Sequence, residues 1–247
     1  MQFLKLNLHI HSNFSDGKQT IRQIIEKSIK LDLDYIAITD HFTDSWKAWV
    51  SNLNTHQTIS EYIQELSKCQ RFLIKNHFNL KLLIGLEIDL ESSMQFIKTY
   101  IKIDEFDIIL LEYLQNYETI AFVKNIIDYW NKKLGNTKKL PILGLAHFDP
   151  SYFMLGNLGL LMDFLKEYNI FFEFNSSYPI YYSTRYERFF DMLREFKVPV
   201  GIGCDSHNNR NLDNFEEPFE MIKYYNLESN LQILIEMLKK KKINKFE

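Results

Sequence analysis

Apolar runs of strand length alternate with stretches of helical period along nearly the whole chain, and this alternation limits the fold more than any other feature. Strands are expected near 3–9, 35–39, 81–87, 107–113, 142–147, 170–175 and 198–204. Between them lie "TIRQIIEKSIKL" from Thr20, "TISEYIQELSKCQRFLIKNH" from Thr58 and "TIAFVKNIIDYWNKK" from Thr119. "NLGLLMDFLKEY" from Asn157, "TRYERFFDMLREF" from Thr184 and a last stretch from Leu227 complete the series. Thr20, Thr58, Thr119 and Asn157 suit helix N-caps, because their side-chain oxygens can accept from the first free N–H groups. Strand–helix alternation calls for a parallel sheet. Seven such strands within 247 residues suggest a single α/β domain over 1–247, closed or nearly closed as a (β/α) barrel; an open doubly wound sheet is the alternative.

Composition narrows the class. Hydrophobic residues make up 46% and charged residues 25%, the proportions of a globular protein. A net charge of −3 argues against a nucleic-acid surface, which carries a basic excess. The longest apolar runs, such as "FDIILL", are too short to cross a bilayer, and no charged-then-apolar leader opens the chain. Cys69 and Cys204 are expected as reduced thiols in a cytoplasmic protein. The closing "KKKKINK" reads as a solvated helix end. The many aromatic residues have no function that the sequence shows.

Acids and histidines fall at the ends of the expected strands. In "LNLHIHSNFSDG" His9 and His11 project to one face of an extended segment and Ile10 to the other. Asp40 and His41 end the second strand in "AITDH", and Glu87 ends the third in "LLIGLEID". His147 follows in "ILGLAHFDP", Glu173 and Asn175 in "IFFEFNSS", and Asp205 and His207 in "VGIGCDSH". A (β/α) barrel brings the C-terminal ends of its strands to one rim, where active sites sit. Imidazole nitrogens with carboxylate oxygens suit zinc, manganese or iron, and a set this rich can hold two or three such cations. His56 and His77, without partners of this kind, read as ordinary residues.

These residues, in this order, resemble the polymerase and histidinol phosphatase (PHP) family through "HIHSNFSDG", "AITDH", "GLEID", "AHFDP", "FEFNSS" and "GIGCDSH". The family is built on a distorted seven-stranded (β/α) barrel of the TIM type, with a metal centre at its rim that usually holds three ions. The resemblance implies one cation held by His9, His11, Glu87 and Asp205, and a second sharing Glu87 and taking His147. A third would be held by Asp16, His41 and His207, with Asp16 standing where some members have histidine. Asp40 is expected to orient groups near the site.

One position departs from the pattern. The family commonly supplies a histidine after the fourth strand, where this chain has Leu114 in "FDIILLEYLQ". Glu112 lies two residues earlier, on the same face if the strand continues; it is expected to serve as an oxygen ligand instead, the alternative being a barrel-lining or rim carboxylate that contacts no metal.

The resemblance implies phosphate-ester hydrolysis by a metal-activated water, with Asp205 taking its proton. The expected substrate is a small phosphomonoester, either histidinol phosphate or a related metabolite or nucleotide. Arg185 and Arg210 follow the sixth and seventh strands and are candidates for clamping its phosphate. The alternatives are a degenerate barrel acting as a metal- or phosphate-binding sensor or partner module, and a nucleic-acid 3′-end phosphoesterase or exonuclease.

Overall fold

Parallel strands buried on both faces need helices outside them, and the burial pattern follows that requirement. The computed structural model describes residues 4–45, 49–135 and 139–241. Eight strands form one parallel sheet: β1 (Leu6–Asn7), β2 (Tyr35–Ile38), β3 (His41–Phe42), β4 (Lys81–Asp89), β5 (Ile108–Glu112), β6 (Ile142–Leu145), β7 (Phe171–Asn175) and β8 (Val200–Gly203). Neighbours run β1-β2-β4-β5-β6-β7-β8, and β3 pairs with β4 as a continuation of the β2 path. The helices are α1 (Ile21–Lys30), α2 (His56–Lys75), α3 (Met94–Tyr100), α4 (Tyr117–Leu134), α5 (Ser151–Met154), α6 (Leu158–Glu167), α7 (Glu187–Phe196), α8 (Glu216–Tyr224) and α9 (Glu228–Lys240).

The seven expected strands all form, each within about two residues of its expected end, except that β1 is shorter and β4 runs on to Asp89. Residue 3, the first of the expected 3–9 strand, lies outside the described residues, as do residues 242–245 of the lysine-rich end; Lys239 and Lys240 do sit in the last turn of α9. The open-sheet alternative fails at the seam between β1 and β8. Leu8 N–H donates to Ile202 O at 3.0 Å, and His11 and Ser206 are linked by a further backbone bond of 3.0 Å. Asn7, fully buried, stitches the same seam: its Oδ1 accepts from Cys204 N at 3.1 Å and its Nδ2 donates to Leu212 O at 3.0 Å. The sheet is therefore a nearly closed seven-strand barrel, with β3 extending one staff.

Helix faces explain the rest of the core. Ile21, Ile24, Ile25 and Ser28 line the buried face of α1 at helical spacing, and Ile120, Val123, Ile127, Trp130 and Leu134 do so on α4. Thr20 and Asn157 cap α1 and α6 as expected. The helices expected from Thr58 and Thr119 start three residues earlier, capped by Thr55 and Asn116. Thr58 N–H donates to Thr55 Oγ1 and Thr119 N–H to Asn116 Oδ1, so each residue read as a cap is the donor that the cap satisfies. The aromatic wealth is structural: Phe172 and Phe174 of β7 meet Phe189 and Phe190 of α7, two of these contacts in edge-on geometry. Both cysteines are buried free thiols. Among the described residues no helix is long and apolar enough to cross a membrane.

Candidate metal centre

His9 and His11 leave β1 on one face while Ile10, fully buried, pairs with Ser206 across the barrel seam. The next elements bring the other donors to the same mouth. His41 stands opposite Glu87 in the β3–β4 register, so their side chains lie side by side, with His41 Nδ1 2.7 Å from Glu87 Oε2. Glu112 ends β5, opposite Asp89. His147 and Asp205 each lie two residues past the end of their strands, β6 and β8.

Glu87 is the hub. Besides His41, its carboxylate faces His9 Nε2 at 3.3 Å, His147 Nε2 at 3.3 Å and His11 Nε2 at 3.5 Å. It is fully buried, yet neither oxygen accepts an aligned hydrogen bond. Around it, His9 Nε2 and His11 Nε2 point at one another across 3.0 Å, and Asp205 Oδ1 lies 3.0 Å from His11 Nε2 and 3.5 Å from His9 Nε2. Glu112 Oε1 is 3.5 Å from His147 Nε2. On the outer side Asp16 faces His207 Nε2 at 3.1 Å, His11 Nδ1 at 3.5 Å and His41 Nε2 at 3.6 Å.

These separations fit divalent cations. Donors about 2.1 Å from one tetrahedral ion stand roughly 3.3–3.5 Å apart, which is the spacing around Glu87. Among the described residues three groups have donor atoms close enough to share an ion: His11, Asp16, His41 and His207; His9, His11 and Asp205; and His41, Glu87 and Glu112. His41 thus touches two groups, whereas the sequence expectation confined it to the outer one; its two ring nitrogens face Glu87 and Asp16 in turn.

The ring orientations are fixed from behind. Glu173 Oε1 accepts from His9 Nδ1 at 3.0 Å, which leaves Nε2 of His9 turned into the cluster. His207 Nδ1 donates to Asp205 O at 2.9 Å and likewise turns its Nε2 towards Asp16. Asp40 acts as the sequence suggests, accepting from the backbone N–H and hydroxyl of both Ser12 and Ser15 and so folding the loop that carries Asp16. Gly17 is required in that loop, since a Cβ there would lie 2.2 Å from His11 O.

Eight described residues other than glycine have positive φ. Asp32, His77, Asn169, Lys197 and Asn226 follow helices, where left-handed residues close the last turn. The other three, Tyr113 (66°), His147 (30°) and Asp205 (46°), follow strands at the barrel mouth. Each such conformation costs about 1–3 kcal/mol, held here by the packing that aims site residues. The turn at Tyr113 also ends β5 at Glu112, so Leu114, buried, does not continue the strand face.

Without cations, protons mediate the cluster. Burial opposes charge on His9, but Glu173, Glu87 and Asp205 outweigh it and raise its pKa well above the ordinary value. His41 is likewise lowered by burial and raised more by Glu87 and Asp16, to about 10. Glu87 and Asp205, despite burial, are held well below the usual carboxylate range by the surrounding imidazoles. Burial lowers His11, which has other imidazoles beside it.

Two expected residues stand apart from the cluster. Arg185 is exposed, its guanidinium 5.7 Å from the Tyr186 ring centre, and Arg210 is exposed on the loop after β8. Glu173 is the functional residue that sequence reasoning left without a role. Its signal was present, a carboxylate set among Phe171, Phe172 and Phe174 on a buried strand that ends at Asn175.

Known proteins share this fold. The structure superposes on histidinol phosphate phosphatase from Lactococcus lactis, solved with zinc, L-histidinol and phosphate, at a TM-score of 0.59 and 19% identity, covering 90% of this chain and 93% of that one. A putative histidinol phosphatase from Listeria monocytogenes gives 0.59 at 15% identity, with 84% and 97% covered. A chain from the crystal structures of the metal-dependent tyrosine phosphatases of Bacillus subtilis and Streptococcus pneumoniae gives 0.57 at 14% identity, covering 94% of this chain and 92% of that one. At these identities the likeness is one of fold. In sequence, 87 residues are 34% identical to the DNA polymerase/3′-5′ exonuclease PolX of Bacillus subtilis, a match spanning 35% of this chain and 14% of that protein. The PHP domain family model matches residues 7–169, about two thirds of the chain, and the chain belongs to the PHP domain family.

Proposed function

We propose that this chain, read as one barrel unit over 1–247, is a metal-dependent hydrolase of small phosphomonoesters. The observation that carries it is Glu87, a buried carboxylate facing four imidazoles without one aligned hydrogen bond. His9, His11, Glu87 and Asp205 would hold one divalent cation, zinc, manganese or iron. Glu87, Glu112 and His147 would hold a second, and Asp16, His41 and His207 a third. When bound, such ions acidify water and offset charge on a phosphoryl group.

The chain's own residues supply orientation and proton handling. Asp205 Oδ1, fixed between His9 and His11, is the acceptor we assign for the proton of the attacking water. Glu173 and the Asp205 carbonyl keep the imidazoles turned towards the cations. Arg185 and Arg210 are the cations we assign to the phosphate, reaching it by side-chain rotation from the rim. Two buried free thiols suit a cytoplasmic setting. The zinc, L-histidinol and phosphate bound by the Lactococcus lactis phosphatase support a small substrate.

A nucleic-acid 3′ end is the second reading, favoured by the match to PolX and disfavoured by the net charge of −3. A screen of the manganese- and the zinc-loaded chain separates them, with histidinol phosphate, nucleotides, generic esters and single-stranded DNA as substrates. Hydrolysis of small monoesters is the expected result. Activity on DNA alone would overturn the small-substrate reading, and no activity with ions bound would favour a sensor.

A further inference from the structure

Asn7 ends β1, shares a face with His9 and His11, and is fully buried. Its hydrogen bonds use the whole amide. Oδ1 accepts from the backbone N–H of His9 at 3.2 Å and of Cys204 at 3.1 Å, while Nδ2 donates to Leu212 O at 3.0 Å and Ser206 Oγ at 3.3 Å. Ser206 Oγ donates its own proton to Asn211 O at 2.9 Å, so it is free only to accept from Asn7. A carboxylate has no donor and a hydroxyl has one, so a side chain of this size meets all four partners only as an amide. The partners lie where the metal centre is built. His9 is one of its donors, Cys204 and Ser206 flank Asp205, and Leu212 is where the loop carrying His207 returns to the core. The junction that Asn7 spans is sparsely laddered. Among the described residues the seam has one β-bridge, Ile10–Ser206, whereas β7 and β8 pair from Phe172–Val200 to Asn175–Gly203. Asp205 follows with a φ of 46°, a left-handed backbone that persists only where its surroundings hold it.

We propose that Asn7 is a positioning residue of the metal centre: its amide sets the gap between the strand that carries His9 and the strand that carries Asp205. The inference rests on the metal-dependent hydrolase reading and adds to it a residue that touches neither cation nor substrate. Asp205 Oδ1 faces His11 Nε2 at 3.0 Å and His9 Nε2 at 3.5 Å across that gap. Three donors assigned to one cation therefore depend on a span that the sparse seam does not fix by itself. Loss of the amide leaves two buried N–H groups and a carbonyl to find new partners, which they reach only if Cys204 or the loop after it shifts. Either shift moves Asp205 relative to His9, and a misplacement of about 1 Å can cost a reaction about 100-fold. A second buried asparagine supplies the comparison. Asn230 Nδ2 donates to Leu193 O at 2.9 Å and Val198 O at 2.7 Å, at the entry of β8 rather than at its metal-bearing end.

The test compares Asn7→Leu and Asn230→Leu with the wild type by the d–d absorption of the cobalt-loaded chain, by manganese titration and by turnover of p-nitrophenyl phosphate. Leucine keeps the branched shape and removes every polar atom, so both variants should lose stability in urea. Only Asn7→Leu should shift the cobalt bands, weaken manganese binding by about 10–100-fold and lower kcat with KM little changed. Wild-type bands, affinity and kcat in a folded Asn7→Leu protein would overturn the proposal. Equal changes in Asn230→Leu would overturn it too, since they would show a general loosening. If Asn7→Leu does not fold, Asn7→Ser, which leaves room for a water at the freed groups, is read in the same way. Cobalt bound without turnover of any ester would end the hydrolase reading, while the bands and the titration still decide Asn7. If the wild type takes up no cobalt, that reading fails as well, and the crystal structure of the folded variant decides Asn7 alone. Asp205 Oδ1 displaced from His11 by about 1 Å or more supports the role, and an unchanged spacing of 3.0 Å overturns it.

Discussion

Glu173 Oε1 lies 3.0 Å from His9 Nδ1, on the side of the ring away from the metal centre. The other oxygen of the same carboxylate accepts from the backbone N–H of His147 at 2.7 Å and from Asn175 Nδ2 at 3.0 Å. One buried group thus fixes the ring of His9 and the left-handed backbone of His147, which face Glu87 from two strands. Glu173→Ala is expected to weaken metal binding by about 10–100-fold. Calorimetric titration with manganese measures it, and unchanged affinity would remove Glu173 from this role.

Gly203 has no room for a side chain because of that pair. A Cβ there would lie 1.7 Å from Glu173 Oε1 and 2.7 Å from His9 Cβ. Gly203→Ala is therefore expected to destabilise the protein by about 1–3 kcal/mol and to lower metal affinity. In the double variant with Glu173→Ala the clash has lost its main partner, so the two costs should be less than additive in urea unfolding. Full additivity would show that Gly203 acts through something else.

Glu112 separates two arrangements of the second cation site. If its Oε1, 3.5 Å from His147 Nε2, is a ligand, Glu112→Ala should lose about one metal per chain and most of the turnover. Elemental analysis after dialysis reads the first, and a generic phosphatase assay the second. Full metal content with full turnover would leave Glu112 as a buried rim carboxylate.

Metal loading should release protons. In the metal-free protein His41 is lowered by burial but raised more by Glu87 and Asp16, to about 10, and His9 and His147 are also raised. A raised folded value stabilises the protein fully below the unfolded value near 6.5, and that stability is lost as pH climbs towards 10. The Tm of the metal-free protein should therefore fall from pH 6.5 to 9.5. The metal-loaded protein should hold its Tm over that range, since cation binding requires the imidazoles neutral. Depressed Glu87 and Asp205 act at the other end, their contribution being lost as pH falls below the ordinary carboxylate range. A metal-free Tm that rises with pH would contradict the protonated cluster.

The barrel and most of the rim were legible because parallel strands need long apolar runs and the donors sit at their ends. What stayed hidden depends on closure or on local backbone choices. Glu173 and His9 are 164 residues apart, and only the β7–β8–β1 seam makes them partners. Tyr113 turns left-handed, a conformation that tyrosine rarely shows, so the idea that Glu112 and Leu114 share a face did not hold. α8 escaped notice although Pro218 lies in its first turn, where a missing N–H breaks no helical bond. His41 reaches both Glu87 and Asp16 because the β2 path pauses at Thr39 and Asp40 before resuming as β3.

Anomalous diffraction from crystals grown with manganese addresses the metal centre directly. Two or three peaks should appear at the barrel mouth, one of them bordered by His9, His11, Glu87 and Asp205 and another by Glu87 and His147. Peaks confined to surface carboxylates, with none beside Glu87, would mean that these side chains gather for some purpose other than holding cations.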